Sequence, residues 1–242
     1  MRLLEKNDVI IIAAMPQEIQ GLLEAKGYTV LYSGLGKLNA AYTLMSELKR
    51  RALSGDVCQA VLNFGTAGSA SFPTHALVEI TKFVQRDMDV SPLGFARGET
   101  PFDRLPTTLN VPKRIAELPS GSCGTGDNFE VAHPETEFRS VDEDQQVSLF
   151  DEASHDSMSP ELNGRESSSG PTRSLLLPYY DVVDMEAYAL ARVCEQEQLA
   201  FCSVKYITDG ADASANNTWA ANLPKAAAAF SAFLPRILEA IP

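Results

Sequence analysis

The chain has 242 residues, 45% of them hydrophobic and 21% charged, a composition typical of a folded protein with a full core. Its 32 acidic residues outnumber its 20 basic ones, which gives a formal net charge of −12 at pH 7. Nucleic acids and anionic membrane surfaces are captured by clustered Lys and Arg side chains. We therefore expect neither nucleic acid nor a membrane as a partner.

Short apolar runs rich in β-branched residues predict buried strands at 9–14, 30–32, 60–64, 76–84 and 201–207. Helical spacing of apolar residues predicts helices at 16–26, 38–53, 185–198 and 224–241. Pro16 suits the first turn of the first helix, and Asp184 is the predicted N-cap of the third. Strands that alternate with helices predict a mostly parallel sheet covered on both faces.

The stretch 140–174 differs from the rest, because it is rich in Ser, Asp, Glu, Gly and Pro and has no sustained period. We interpret it as a flexible acidic insertion within one domain that spans 1–242, rather than as a linker between two domains.

The cysteines and histidines indicate a reducing compartment and no metal site. The four cysteines are widely spaced and form no CxxC pair, and no histidine lies at metal-ligand spacing from another histidine or a cysteine. The apolar run at 9–15 lacks the basic flank and the cleavage site of a signal peptide. These features predict a cytoplasmic protein.

Polar residues that follow the predicted strands are the first candidates for a site, because ligands collect at the carboxyl ends of parallel strands. Glu18 follows the first strand, where it can act as a general base or simply complement a helix dipole. The segment NFGTAGS at 63–69 follows the third strand, and its glycines allow close approach of backbone to a ligand. It matches neither the dinucleotide-binding nor the P-loop pattern.

Three further segments carry polar groups with open interpretations. The glycines of GTGDNF at 124–129 fit a turn, while Phe129 could stack on a base. Asp209 in TDGAD follows a strongly apolar strand and fits either an Asx turn or a site. Glu186 opens an otherwise apolar helix, where a capping role is the default.

The order and spacing of seven segments are more specific than any of them alone. AAMPQE, SGLGKLNAA, NFGTAGS, RDMDVSPLGFARGETP, GTGDNF, VVDMEA and VKYITDGAD together resemble the nucleoside phosphorylase and nucleosidase superfamily, and within it the methylthioadenosine/S-adenosylhomocysteine nucleosidases. The resemblance spans about 9–234 apart from the insertion. It implies an α/β fold, a single three-layer αβα domain with a central mixed, mostly parallel twisted sheet. It also implies a homodimer that hydrolyses a purine nucleoside without a cofactor or metal.

The resemblance implies separate roles for three carboxylates. Asp209 matches the acid at nitrogen 7 of the purine, Glu186 the residue that holds the ribose hydroxyls, and Glu18 the base that activates water. Other positions match residues that line the substrate: Phe129 for stacking on the purine, Met15 and Met185 in the ribose pocket, Trp219 as an aromatic that closes the site, Thr66 and Gly68 in the glycine-rich loop, and Leu93, Phe95 and Pro101 as contributions of the partner subunit near the 5′ substituent.

The chain departs from the family pattern in several places. Lys205 stands where the family usually has Arg, and the glycine-rich loop reads GTAGS rather than GSAGG. The alternatives are a hydrolase for another nucleoside or nucleotide, such as futalosine, adenosine or AMP, a phosphate-dependent phosphorylase, and a catalytically silent binding protein. The negative charge of Glu18 favours neutral water over phosphate as the nucleophile.

Overall fold

The computed structural model describes residues 6–102, 106–128, 180–210 and 215–241, with 215–217 described as backbone alone. The predicted insertion at 140–174 lies outside the described residues. Within these ranges, no helix combines the length and the apolar character needed to cross a membrane.

The described ranges contain eight strands: β1 (Val9–Ala13), β2 (Val30–Tyr32), β3 (Ala60–Gly68), β4 (Leu77–Gln85), β5 (Thr108–Asn110), β6 (Ser120–Thr125), β7 (Val182–Asp184) and β8 (Ala200–Asp209). The five predicted strands are among them. The glycine-rich segment at 63–69 is not a loop for most of its length. β3 continues through it as far as Gly68, because the backbone of β3 pairs with β8 along its whole length. The sequence did not indicate β5, β6 or β7.

The strands form a mixed sheet. The pairs β1–β2, β1–β3, β3–β8, β4–β6 and β6–β7 are parallel, whereas β3–β7, β4–β5 and β4–β8 are antiparallel. The pairings run from β3 to β8, β4, β6, β7 and back to β3, so these five strands close a ring. The ring brings the carboxyl ends of β3, β7 and β8 together.

The described helices are α1 (Lys37–Ser54), α2 (Ala187–Gln196) and α3 (Ala215–Ala240). The predictions for α1 and α2 are confirmed to within a few residues, while α3 begins well before the predicted start at 224. The helix predicted at 16–26 is wrong. Two 3-10 turns, Pro16–Glu18 and Glu24–Lys26, replace it, because Gln20 and Gly21 adopt φ values of 52° and 72° in the left-handed region and end the helical path.

Two apolar cores lie on opposite faces of the sheet. Ile10 and Ile12 of β1 belong to the core that α1 and α2 cover, whereas Val9 and Ile11 belong to the core that α3 covers. Because successive side chains of a strand point to opposite faces, a continuous apolar run is what such a strand requires.

Replacement of Phe230 by Ala should destabilise the fold by about 3–5 kcal/mol, since it opens a cavity in the core. Phe230 is fully buried on α3, and its ring stacks on that of Phe64 with 4.9 Å between centroids. Urea denaturation measures the free energy of unfolding. Phe102→Ala is the control, because Phe102 is 83% exposed and its removal should change stability by no more than about 0.5 kcal/mol. Equal losses in the two variants would contradict the assigned core.

Candidate active site

Glu18 lies buried under the end of β1, where the 3-10 turn that contains it folds the side chain back. Its Oε2 accepts the backbone N–H groups of Ala14 at 3.0 Å and Met15 at 3.3 Å. Its Oε1 accepts the backbone N–H of Thr66 at 2.7 Å and the Thr66 hydroxyl at 2.9 Å. These four contacts fix the orientation of the Glu18 carboxylate.

Gly65 separates Glu18 from Lys205. A Cβ atom at this position would lie 2.8 Å from Lys205 Nζ and 3.6 Å from Glu18 Oε1. The close approach that this glycine permits is therefore to a lysine ammonium of the same chain. The sequence suggested instead that the glycines of this segment make room for a ligand.

Lys205 and Asp184 form an ion pair, with 2.7 Å between Nζ and Oδ2, and both side chains are only 1% exposed. Asp184 also accepts hydrogen bonds from the Thr125 hydroxyl at 2.6 Å and the Cys123 thiol at 3.2 Å. Burial works against the charge of Asp184, but Lys205 and these donors outweigh it and hold the pKa of Asp184 below its usual value. Burial also opposes the charge of Lys205, yet Asp184 and its other neighbours raise the pKa of Lys205 above the usual value.

Glu186, rather than Asp184, is the N-cap residue of α2, which corrects the predicted cap. The Asp184 carboxylate still accepts the N–H of Ala187 at 2.9 Å. Glu186 Oε1 accepts the N–H of Gly36 at 2.8 Å. Burial, and next the charge of Asp184, raise the pKa of Glu186 to about 8, while Lys205 and the Gly36 N–H oppose that rise.

Asp209 ends β8 beside a bulge. Ile207 pairs with Ala67 and Asp209 pairs with Gly68, so Thr208 is the extra residue of β8. The Thr208 hydroxyl donates to Asp209 Oδ2 at 2.7 Å, and Asn222 Nδ2 of α3 donates to the Thr208 carbonyl at 2.8 Å. Asp209 is buried at the same end of the strand ring as Glu18 and Glu186.

Three polar residues that the sequence analysis did not single out connect the surroundings of the site. The Lys37 ammonium donates to Asp87 Oδ1 at 2.6 Å, and the Lys37 backbone N–H donates to Asp127 Oδ1 at 2.7 Å. The Asp127 N–H in turn donates to Asp87 Oδ2 at 2.8 Å. This network joins the start of α1 to the turn after β6, next to the Gly36 amide that binds Glu186. The segments SGLGK, RDMD and GTGDN, which carried the resemblance, contain these residues.

The remaining predicted site residues fall into three groups. Trp219 Nε1 donates to Thr66 Oγ1 at 3.0 Å, Met15 and Met185 are half-buried next to the carboxylates, and Gly68 pairs with both Asp209 and Val183. Leu93, Phe95 and Pro101 lie on the connection between β4 and β5, where Leu93 is exposed and the Phe95 ring meets that of Phe102. Phe129 lies outside the described residues.

The comparisons with known proteins agree with the resemblance. A family model described as the phosphorylase superfamily matches residues 165–239. The chain is 27% identical over 209 residues to a 5′-methylthioadenosine/S-adenosylhomocysteine nucleosidase of Anoxybacillus flavithermus. This match covers 86% of this chain and 78% of the relative. It is 26% identical over 232 residues to an aminodeoxyfutalosine nucleosidase of Helicobacter pylori. This match covers 91% of this chain and 83% of that protein.

A solved structure shows the same fold. It is a 5′-methylthioadenosine/S-adenosylhomocysteine nucleosidase from Helicobacter pylori with butyl-thio-DADMe-Immucillin-A. Its TM-score is 0.68 at 20% identity, and the match covers 96% of this chain and 97% of the other. The two proteins therefore share a fold, and the family model over 165–239 supports the resemblance to the phosphorylase superfamily.

Glu186→Gln should flatten the pH dependence of stability between about pH 4.5 and pH 8. The unfolded chain releases the Glu186 proton near the ordinary value of 4.5, whereas the folded chain keeps it to about 8. The contribution to stability is therefore complete below pH 4.5 and is lost as the pH rises through about 8. Urea denaturation at pH 5 and pH 8 should show that the variant avoids a loss of about 1 kcal/mol or more.

Glu195→Gln provides the control on the same helix, because the Glu195 side chain is 48% exposed. This variant should keep the pH slope of the wild type. An unchanged slope in Glu186→Gln would mean that Glu186 titrates near its ordinary pKa in the folded chain.

Proposed function

We propose that this chain is an N-glycosidase that hydrolyses purine nucleosides of the methylthioadenosine and S-adenosylhomocysteine type to free adenine and a thioribose product. The observation that carries the proposal is the meeting of three buried carboxylates, those of Glu18, Glu186 and Asp209, at one end of the strand ring. They lie far apart in the sequence, and the relatives named above are nucleosidases.

The arrangement suits cleavage of an N-glycosidic bond. The ribose acquires oxocarbenium character as the bond breaks, and nearby carboxylates stabilise its positive charge. Asp209 donates a hydrogen bond or proton to nitrogen 7, which makes the purine a better leaving group. Glu186 holds the ribose hydroxyls, and Glu18 accepts a proton from the attacking water. The products are the free base and a sugar that carries the water oxygen at its anomeric carbon.

The charges around Glu18 favour water over phosphate. A phosphorylase needs fixed cations around the attacking phosphate, which carries negative charge. The buried cation beside Glu18 is Lys205, and its charge is compensated by Asp184 at 2.7 Å. Phosphate at the position of the nucleophile would therefore face the Glu18 carboxylate. This balance supports hydrolysis.

The relatives differ in the 5′ substituent of the nucleoside that they are named for, because one of them is an aminodeoxyfutalosine nucleosidase. Aminodeoxyfutalosine is therefore the second candidate substrate. The substrate panel for the assay contains methylthioadenosine, S-adenosylhomocysteine, aminodeoxyfutalosine, futalosine, adenosine and AMP.

We further infer that the chain is a single three-layer αβα domain. The two cores on opposite faces of the sheet support this arrangement, since α1 and α2 cover one face and α3 covers the other. We also propose a cytoplasmic location, which agrees with the four free cysteines.

A homodimer is the proposed assembly. Leu38, Tyr42 and Met45 follow one another at helical spacing on α1 and are 80%, 74% and 40% exposed. A contiguous exposed apolar face of this kind marks an interaction surface. A second copy that covers it would agree with the contribution of Leu93, Phe95 and Pro101 to the partner's site that the resemblance implies.

Incubation with methylthioadenosine should release free adenine and free methylthioribose at equal rates with and without phosphate. Asp209→Asn and Glu18→Gln should each lower kcat by at least about 100-fold, because general acid and base catalysis contribute this much or more. Chromatography of the products and circular dichroism of the variants provide the measurements.

Asp56→Asn is the matched control, because Asp56 is exposed near the opposite end of β3, and it should retain activity. Cleavage that requires phosphate and yields a sugar 1-phosphate would contradict the hydrolase. Binding without turnover across the whole panel would favour a silent binding protein.

Tyr42→Glu should convert the dimer to a monomer, since it places a charge in the apolar face of α1. Sedimentation equilibrium measures the mass, and activity should fall with dissociation because the partner's residues leave the site. Val57→Glu is the control, because Val57 is 68% exposed but precedes β3, away from the site. A wild type that sediments as a monomer would refute this assembly.

A further inference from the structure

A chain of two hydrogen bonds links α3 to Glu18. Trp219 Nε1 donates to Thr66 Oγ1 at 3.0 Å, and Thr66 Oγ1 donates to Glu18 Oε1 at 2.9 Å. The three residues come from α3, from β3 and from the turn after β1. Elements far apart in the sequence therefore meet at one carboxylate oxygen.

The chemistry of the groups fixes the direction of this chain. The indole N–H can only donate, so Thr66 must accept from Trp219. A hydroxyl has a single hydrogen, and the contact from Trp219 leaves that hydrogen directed at Glu18 Oε1. Without the indole N–H, the Thr66 hydroxyl could rotate and present a lone pair to another donor. The Trp219 N–H thus occupies a lone pair of the Thr66 hydroxyl, whose hydrogen is directed at Glu18.

The two oxygens of Glu18 are held unequally. Oε1 receives donors at 2.7 and 2.9 Å, both from Thr66, whereas Oε2 receives backbone donors at 3.0 and 3.3 Å. Shorter contacts indicate stronger hydrogen bonds. Oε1 is therefore the more firmly anchored oxygen of Glu18, and Oε2 is held by the longer contacts.

We propose that Trp219 is a positioning residue that orients the Thr66 hydroxyl and thereby anchors Glu18 through Oε1, leaving Oε2 to accept the proton of water. This inference rests on the proposed function for its kinetic consequences. It differs from the role of an aromatic that closes the site, because phenylalanine could close a site equally well but has no N–H group. The group that matters is the indole nitrogen.

Trp219→Phe tests the inference, since it removes the N–H and keeps an aromatic ring. We expect kcat to fall about tenfold, the effect of one well-placed hydrogen bond, while KM changes less than about twofold. Thr66→Val should lower kcat by at least as much. The double variant should be no worse than Thr66→Val alone, because Trp219 acts through the Thr66 hydroxyl. A double variant whose loss equals the product of the two single losses would overturn the proposal.

Phe233→Leu is the control for lost packing on α3, because Phe233 is partly buried on that helix and packs against the core beneath it. It should leave kcat within about twofold of the wild type. A rise in KM with unchanged kcat in Trp219→Phe would show that Trp219 serves only to close the site and would also overturn the proposal.

A spectroscopic measurement tests the hydrogen bond without any assay of activity. Trp219 is the only tryptophan of the chain, so its indole N–H gives a single resonance in a ¹H–¹⁵N spectrum. Thr66→Val should shift this resonance and speed its exchange with solvent, while Thr66→Ser, which keeps the hydroxyl, should preserve both. An indole resonance that is insensitive to Thr66→Val would refute the contact. A wild type that cleaves no nucleoside but passes this test would refute the proposed function alone.

Discussion

The buried ion pair between Lys205 and Asp184 is the contact on which the rest of the site depends. It joins β8 to β7 across the strand ring, and the Asp184 carboxylate also receives the N–H of Ala187 at the start of α2. Removal of either charge would leave the other buried and uncompensated, which costs about 3–5 kcal/mol in comparable cases. Gly65 follows from the same constraint, because a larger residue would collide with the lysine ammonium.

The ion pair also decides the charge of Glu186. Asp184 compensates Lys205, so Glu186 faces burial and a neighbouring carboxylate, and its pKa rises to about 8. At pH 7 this rise favours the neutral form of Glu186. In the proposed reaction, a positive charge that develops on the ribose would favour ionisation of this residue. The carboxylate would then gain its charge as the transition state forms, which is where charge stabilisation accelerates a reaction.

The sequence predicts those parts of the fold that depend on the pattern of neighbouring residues. The apolar run of β1 and the helical spacing of α1 identify both elements, and the order of the polar motifs identifies Glu18, Glu186 and Asp209 as candidates. β6 has the sequence SGSCGT, which reads as a loop, yet its backbone pairs with both β4 and β7. The sequence likewise predicts Asp184 as a helix cap, whereas its ion pair with Lys205 forms only in the folded chain. The strand β6 and the ion pair of Asp184 both depend on contacts between segments that are distant in the sequence, which local patterns do not show.

The early start of α3 places contacts to the supports of both the proposed acid and the proposed base on one helix. A helix that began at 224, as the local pattern suggests, would leave out both Trp219 and Asn222. In the structure these residues lie three positions apart and thus on one side of α3. Asn222 holds the carbonyl of Thr208 at the bulge that positions Asp209, and Trp219 holds the hydroxyl of Thr66 that anchors Glu18. Because both contacts originate from one helix, a displacement of α3 would move the supports of the two carboxylates together.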